Sequence, residues 1–361
     1  MNMNIPDRKQ YHKKKVFDYL RVDKFLMTLI DARALGAAFE TGFIDYLNEN
    51  RHSNLHDLKI RFEWDDQGLR LLINLLKANK VIEEQDGEIR LSEEFRKALP
   101  YVDLLKAKLE FADIVIRDFT DLFTFLVSDP DQFNRNARVF DLFGYNRCLD
   151  FTPENYELTR RWMTITTSLT KYESPVCMEY YNFAPHHRIL DIGGNSGEFA
   201  LQICRRYPEI SATIFDLPLV CDIGEEHVRS EPEAGRIEFV KGNALKDILP
   251  AGFDLIIFKS MLHDWPEKEA RQLIVGAAQS LDPGGTLLIF ERGPLEFMEK
   301  AVPYSILPFL LFFRSFRTPM VYENQLMELG FFDIRVQKIY LEMPFFLVTA
   351  KKGIQDNRVS Y

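Results

Sequence analysis

Arg188-Ile-Leu-Asp-Ile-Gly-Gly-Asn-Ser-Gly197 is a short apolar run that ends in a glycine-rich turn. Glycine just past a strand lets the backbone approach a ligand closely, and a helix that follows points free N–H groups at that ligand. The spacing of these glycines does not fit the dinucleotide fingerprint G-x-G-x-x-G, and no P-loop lysine follows them. Such a turn also occurs for packing alone, so its interpretation depends on the residues that follow.

The chain after Pro185 alternates short apolar runs with helical stretches such as Pro266 to Leu281. This alternation predicts a mostly parallel, doubly wound α/β sheet, and such sheets bind ligands at the carboxyl ends of their strands. We predict strands at residues 188–192, 212–215, 237–240, 255–258, 286–290, 334–339 and 345–349.

Two polar residues follow strands close to the glycine turn. Asp216 ends the second strand, where a carboxylate can accept hydrogen bonds from both hydroxyls of a ribose, although it could instead cap the helix after Pro218. Asn243 follows the third strand, where its side-chain oxygen could accept from an adenine amino group or complete a turn. Together with the glycine turn, these residues indicate a nucleoside cofactor at this edge of the sheet.

His263 follows the fourth strand and is therefore predicted to lie at the same edge. A phenolic hydroxyl titrates near pH ~10 and an imidazole near ~6.5, so a histidine there can act as general base toward a hydroxyl. The alternative is that His263 has a structural role, as a lone histidine more often does. Asp264, next in the sequence, is expected to point elsewhere and to cap the helix from Pro266.

The composition is that of an ordinary globular protein of 361 residues, long enough for two domains. Its net charge of −9 argues against non-specific binding to nucleic acid. No signal-peptide pattern follows Lys13-Lys14-Lys15, and the longest apolar run, Ile306 to Phe313, is far shorter than the roughly 20 residues that span a bilayer. The four cysteines show neither metal-ligand nor disulfide spacing. We therefore expect a cytoplasmic protein with no metal and no membrane contact.

The front of the chain predicts a winged helix. Apolar residues recur at helical spacing from Lys24 to Leu47, a short helix starts near Ser53-Asn54, and residues 69–76 form a strongly apolar helix. A hairpin is predicted over residues 81–91. Residues 31–100 carry 14 acidic against 10 basic residues, which disfavours docking on DNA phosphates and favours a dimerisation module built from apolar helices.

Four motifs, in this order, resemble the class I S-adenosylmethionine-dependent methyltransferases. They are Asp191-Ile-Gly-Gly-Asn-Ser-Gly197, Phe215-Asp-Leu-Pro218, His263-Asp-Trp265 and Arg317-Thr318. More narrowly, the chain resembles the small-molecule O-methyltransferases of the plant caffeate and hydroxyindole type and their bacterial natural-product relatives. The resemblance also covers the front of the chain, from Ala34 to Leu99.

The resemblance implies a Rossmann-like methyltransferase sheet with a helical winged-helix dimerisation domain before it. We expect the dimerisation domain at residues 1–105, a helical connector that contributes to the acceptor pocket at residues 106–182, and the S-adenosylmethionine-binding domain at residues 183–361. The resemblance further implies a homodimer that methylates a hydroxyl of a small aromatic or polyketide-like metabolite. Which atom of the acceptor is methylated stays open.

The resemblance also implies the roles of single residues. His263 matches the family's base, and Glu291 matches the glutamate beside it. Lys259 matches a lysine near the cofactor, with a solvent-facing lysine as the alternative, and Trp265 matches a tryptophan near the adenine, with core packing as the alternative. The expected cofactor-binding residues are Asp191, Gly193, Gly197, Asp216, Leu217, Asn243, Ala244 and Lys259.

The acceptor pocket is expected to be apolar and aromatic, as suits a flat acceptor. Arg314 and Arg317 could pair with a carboxylate of the acceptor or with acidic side chains nearby. The expected pocket residues, each with helix packing as the alternative, are Trp162, Met163, Phe312, Phe313 and Phe316.

Two residues depart from the family pattern. Phe316 stands where the family commonly has a glutamate, which leaves Glu291 as the clear partner of the base and makes the pocket more apolar. Asn243 replaces an acidic residue, which should weaken recognition of adenine. The first departure keeps an alternative open, in which an S-adenosylmethionine-binding relative catalyses pericyclic or decarboxylative chemistry without transferring a methyl group.

Overall fold

The structure, a computed structural model, describes residue 15 and residues 17–296 and 302–354. The polar and basic character of residues 1 to about 20 predicts an arm or a frayed first helix, and most of these residues lie outside the described part of the chain. Within the described part of the chain, no helix has the length and apolar character of a membrane span. The same part of the chain contains no group of three or more His, Cys, Asp or Glu side chains placed to hold a metal ion.

Four helices and a small antiparallel sheet form the front of the chain. Thr28 and Asp31 form a capping box at the first helix, and Asn54 and Asp65 cap the third and fourth helices. Gly42, at φ 75°, ends the first helix, so the predicted helical stretch from Lys24 to Leu47 is two helices. The elements are α1 (Leu29–Glu40), α2 (Phe43–Asn50), β1 (Ser53–Asn54), α3 (Leu55–Phe62), α4 (Asp66–Ala78), β2 (Ile82–Gln85) and β3 (Glu88–Leu91).

The predicted hairpin is confirmed, since β2 pairs with β3 antiparallel and β1 joins the other edge of β3. This is the order of elements expected of a winged helix. Its dimerising role and the division of the chain at residues 105 and 182 stay predictions.

Helices connect the front of the chain to the large sheet. The two long ones, α6 and α9, pack against each other along the middle of the molecule. The helices are α5 (Glu93–Arg96), α6 (Val102–Ser128), α7 (Pro130–Asn136), α8 (Val139–Leu142) and α9 (Pro153–Tyr180), with a 3-10 turn at Tyr145–Leu149.

All seven strands predicted for the second half are confirmed, most of them one to five residues longer at an end. They form one sheet in the order β6-β5-β4-β7-β8-β10-β9, parallel except for β10, which is antiparallel to both of its neighbours. The strands are β4 (Arg188–Ile192), β5 (Ser211–Asp216), β6 (Ile237–Lys241), β7 (Phe253–Lys259), β8 (Leu281–Arg292), β9 (Phe331–Tyr340) and β10 (Pro344–Lys352).

Helices α10 (Glu198–Arg206), α11 (Pro218–Val228), α12 (Glu267–Ser280) and α13 (Pro319–Glu328) cover the two faces of this sheet. Because β4 lies between β5 and β7, the glycine turn that follows it lies at the centre of the carboxyl edge. The order of the strands turns back at β4, which is where open α/β sheets bind ligands.

The packing of α11 on β6 gives a test of the fold. A Cβ on Gly224 would lie 2.4 Å from the Phe239 ring and 3.0 Å from the carbonyl oxygen of Asn195. Gly224→Ala should therefore lower the free energy of unfolding by about 1–3 kcal/mol, through overpacking. Urea denaturation measures this.

Gly276→Ala is the matched control, because its Cβ would meet only Leu249, at an ordinary 3.4 Å. In a helix this control should be neutral or stabilising by up to about 1 kcal/mol. Equal stabilisation by both substitutions would contradict the packing described.

Candidate active site

A cleft opens at the carboxyl ends of β4, β5, β6 and β7. Helix α9 and the 3-10 turn at Tyr304–Phe312 form its other walls. The cleft encloses about 1400 Å³ of empty space when its open mouth is included. The predicted site residues that line it are Trp162, Gly193, Asp216, Leu217, Asn243, Ala244, Lys259, His263 and Phe312.

The glycine turn leaves no room for side chains. Gly193 and Gly197 have φ of 69° and 75°, in the left-handed region that favours glycine. A Cβ on Gly193 would lie 2.7 Å from the Met261 side chain, at the wall of the cleft. Gly197 does not line the cleft, since its missing side chain makes room for Phe239 on β6. Gly193 is thus placed for a ligand, and Gly197 for packing.

Asp191 lies beneath this turn, behind the wall of the cleft. Its carboxylate is fully buried, and neither oxygen has a hydrogen-bond partner in the described structure. Burial, and then the charge of Asp216, raise the pKa of Asp191 to about 7. A buried carboxylate without partners is costly in its ionised form, so this position favours either a proton or a cationic group close by.

Asp216 lines the cleft at the end of β5. Its carboxylate accepts hydrogen bonds from the backbone N–H groups of Asn195 (2.9 Å) and Leu217 (2.7 Å). The alternative that it caps the next helix is wrong, because α11 has no side-chain cap. Burial raises the pKa of Asp216 to about 6, against the two backbone hydrogen bonds, which lower it.

Asn243 and Ala244 line the cleft at the end of β6. The side-chain oxygen of Asn243 accepts from the N–H of Leu245 at 3.0 Å, and its own N–H donates to Asp247 at 2.7 Å. Asn243 therefore completes a turn, as its alternative interpretation held. A contact with adenine would have to use the other lone pair of this oxygen or the amide nitrogen.

Lys259 ends β7 and lines the cleft, and its charge is neutralised by an ion pair within the protein. It donates to Thr170 at 2.9 Å and pairs with Glu173 on α9, and both members of the ion pair are buried. The alternative of a solvent-facing lysine is therefore wrong. Arg292, which the sequence did not single out, pairs with the other oxygen of Glu173 and also lines the cleft.

His263 is buried in a 3-10 turn, Leu262–Asp264, and Nδ1 donates to Oε1 of Glu291 at 2.6 Å. The other oxygen of Glu291 accepts from the N–H of Leu262 at 3.0 Å. Burial lowers the pKa of His263, but the carboxylates of Glu291 and Asp264 outweigh it, so this pKa is above the ordinary value. Burial raises the pKa of Glu291, and the facing His263 holds it below its usual range. The predicted pairing of His263 with Glu291 is therefore present.

Asp264 was expected to cap the next helix, and this is wrong. Helix α12 has no side-chain cap, and Oδ1 of Asp264 lies 3.5 Å from Nε2 of His263. Its Oδ2 accepts from the hydroxyl of Tyr145 at 2.8 Å. Burial raises the pKa of Asp264, while His263 and the Tyr145 hydroxyl act in the opposite direction. His263 thus faces carboxylates on both ring nitrogens.

The predicted acceptor-pocket residues do not all reach the cleft. Phe312 lines the cleft, and Phe316 lies behind it with its ring centre 5.2 Å from that of His263. Met163 and Phe313 do not reach the cleft: Met163 is buried among helices, and Phe313 is 38% exposed with Arg314 over its ring. Their sequence neighbours Trp162 and Phe312 line the cleft instead. The structure therefore does not support the expectation that Met163 and Phe313 bind the acceptor.

Arg314 and Arg317 bind backbone carbonyl groups, and neither forms a salt bridge with an acidic side chain of the described residues. Arg314 donates to the oxygens of Leu126 and Val127 at the end of α6. Arg317 donates to the oxygens of Leu262 (2.9 Å) and Trp265, on either side of His263. Arg317 therefore fixes the turn that carries the histidine.

A family model for the O-methyltransferase domain matches residues 127–307, which is half of the chain. The match includes the glycine turn, Asp216, His263 and Glu291. The chain therefore belongs to the O-methyltransferase domain family.

Two curated relatives match over shorter stretches. The 3-hydroxy-5-methyl-1-naphthoate 3-O-methyltransferase of Streptomyces sahachiroi is 36% identical over 104 residues, which are 29% of this chain and 30% of that protein. Acetylserotonin O-methyltransferase of Gallus gallus is 32% identical over 165 residues, which are 44% of this chain and 46% of that protein. The matched stretches thus span less than half the length of these relatives.

Among solved structures, human N-acetylserotonin methyltransferase in complex with SAM superposes with a TM-score of 0.64. The superposition covers 89% of this chain and 94% of that chain at 21% sequence identity. This likeness shows that the two proteins share a fold.

The His263–Glu291 pair can be tested without an acceptor. Glu291→Gln keeps the shape of the side chain and removes the charge that stabilises the imidazolium, so the pKa of His263 should fall. NMR titration of the histidine side chains measures this pKa. The resonance that is missing in His263→Gln identifies the signal of His263.

Glu198→Gln is the matched control, because Glu198 makes the same kind of bond to His227 at 2.8 Å. This control should leave the titration of His263 where it is. A His263 that titrates at the same pH in Glu291→Gln and in the wild type would contradict the pairing.

Proposed function

We propose that this chain is an S-adenosylmethionine-dependent O-methyltransferase that acts on a hydroxyl of a small aromatic or polyketide-like metabolite. The observation that carries the proposal is the His263–Glu291 pair on one wall of a cleft whose other end presents Asp216 beside the glycine turn. Membership of the family and the names of the matched relatives support the same reaction.

The residues of the cleft fit S-adenosylmethionine. Asp191 offers a buried, unpartnered carboxylate near the turn, as suits a ligand that carries positive charge. Asp216 would hold the ribose hydroxyls, and Gly193 lines the same cleft without a side chain. Asn243 lines the same cleft, and we expect it to contact the adenine. When bound, the cofactor supplies a methyl group that its positively charged sulfur already activates for transfer.

His263 supplies the proton acceptor. Because Nδ1 is occupied by Glu291, Nε2 is the nitrogen left to take the proton of the acceptor hydroxyl. The Glu291 carboxylate then stabilises the imidazolium that forms. Its effect on the pKa of His263 brings the base closer to the hydroxyl that it must deprotonate.

The acceptor end of the cleft is apolar. Phe111, Phe143, Phe309 and Phe312 line it together with Trp162, and these side chains exclude water from the hydroxyl and the base. A flat aromatic acceptor fits between such rings. Holding the acceptor, the methyl group and the base in line supplies much of the rate, an effect that reaches roughly 7–11 kcal/mol in well-oriented systems.

Methyl transfer to a panel of hydroxylated naphthoates and N-acetylserotonin tests the proposal. The product should gain the mass of one methyl group, and S-adenosylhomocysteine should form in equal amount. His263→Ala should lower kcat about 100- to 10,000-fold, the usual contribution of a general base, without weakening cofactor binding.

His227→Ala is the control, since His227 pairs with Glu198 outside the cleft, and it should keep wild-type turnover. A product of changed structure with no added methyl group would favour the pericyclic or decarboxylative alternative. Undiminished turnover by His263→Ala would contradict the role of the histidine.

A further inference from the structure

We infer that Tyr145 is a positioning residue for the proposed methyl transfer. Its hydroxyl holds the Asp264 carboxylate against His263, so that a histidine–aspartate pair, and not the histidine alone, receives the proton of the acceptor. The inference deepens the proposed function and rests on it.

The two oxygens of Asp264 have separate partners. Oδ1 lies 3.5 Å from Nε2 of His263, and Oδ2 accepts from the Tyr145 hydroxyl at 2.8 Å. The carboxylate is therefore fixed on one side by Tyr145 and presents its other oxygen beside the nitrogen that faces the acceptor. An acceptor hydroxyl at this place can donate its proton to either atom.

Tyr145 is itself held in place. Its ring packs against Trp162 and Trp265, with ring centres 5.3 Å and 6.0 Å away, and all three residues line the cleft. The 3-10 turn that begins at Tyr145 is tied back by Arg147, which donates to the carbonyl oxygens of Leu142 (2.5 Å) and Gly144 (3.0 Å). These contacts hold the Tyr145 hydroxyl in place beside Asp264.

Two aromatic rings also pack against His263. Phe312 and Phe316 place their rings 5.5 Å and 5.2 Å from the imidazole centre. The charged groups that face the pair are Glu291 and Arg292, and Asp216 faces it beyond Tyr145. With Nδ1 committed to Glu291, Asp264 is the group that shares the proton on Nε2.

The two partners of Asp264 have opposite effects on proton binding. The Tyr145 hydrogen bond lowers the pKa of Asp264, whereas the Asp264 charge raises the pKa of His263. Tyr145→Phe removes the hydrogen bond that stabilises the ionised Asp264 carboxylate. The His263–Asp264 pair should then lose its protons at a higher pH than in the wild type. Asp264→Asn removes the charge itself, so His263 loses its proton at lower pH. The two titrations belong to a coupled pair and are read together.

The test is the pH profile of kcat/KM with S-adenosylmethionine and a hydroxylated naphthoate or N-acetylserotonin that the wild type methylates. In Tyr145→Phe, kcat should fall about tenfold and the acid limb should move to higher pH, with no change in the affinity for S-adenosylmethionine. In Asp264→Asn, the acid limb should move to lower pH. The double variant should be no slower than Asp264→Asn within about twofold, because Tyr145 acts through Asp264.

Tyr172→Phe is the matched control, because it removes a hydroxyl that donates to Asp103 at 2.6 Å outside the cleft. It should leave the profile unchanged. If Tyr145→Phe does not fold, the direction of the shift in Asp264→Asn decides. Unshifted acid limbs, or additive losses in the double variant, would overturn the inference while wild-type methylation upholds the proposed function. A wild type that methylates none of the panel would overturn both.

Discussion

Glu173 on α9 is the residue on which the architecture of the cleft depends. Its buried carboxylate pairs with Lys259 at the end of β7 and with Arg292 at the end of β8. Burial raises its pKa, but the two cations hold it below the usual range, so the group stays ionised. Removing one partner of a buried ion pair costs about 3–5 kcal/mol, because a charge is left uncompensated. The ion cluster therefore fixes α9, and with it Trp162, against the sheet.

The same cluster reaches the proposed base. Arg292 follows Glu291 in β8 and donates to the hydroxyl of Ser260 at 2.9 Å. Ser260 has a φ of 49°, in the left-handed region, at the point where the chain leaves β7 for the turn that carries His263. One set of buried charges thus holds the helix that lines the acceptor end, the strand that precedes the His263 turn and the strand that carries Glu291. The proposed chemistry depends on this rigidity, since in-line transfer tolerates little misplacement.

The sequence predicted the parts of this structure that local pattern controls. All seven strands, the hairpin and the position of His263 at the carboxyl edge follow from apolar runs, turn residues and the topology of α/β sheets. Glu291 was also predicted, but through the resemblance to a family. The sequence could not separate Met163 and Phe313 from their neighbours Trp162 and Phe312, which line the cleft, because adjacent residues on a helix point about 100° apart and an apolar run does not show which of them faces the cleft.

The partners that the sequence missed are distant in the chain. Tyr145 lies 119 residues before Asp264, and Glu173 lies 86 residues before Lys259. No periodicity links such pairs, because the long connector helices bring them together only in the folded chain. Asp264 was assigned to a helix cap because a cap is a local interaction. Its actual partners depend on the 3-10 turns at Tyr145–Leu149 and Leu262–Asp264.

The central claim is that this cleft binds S-adenosylmethionine, and calorimetric titration tests it most directly. Wild type should bind S-adenosylmethionine and S-adenosylhomocysteine one to one, and Asp216→Ala should lose this binding. Asp222→Ala should keep this binding, because Asp222 lies on the exposed side of α11 and pairs with Lys241 at the end of β6. No heat of binding from the folded wild type with either ligand would contradict the account.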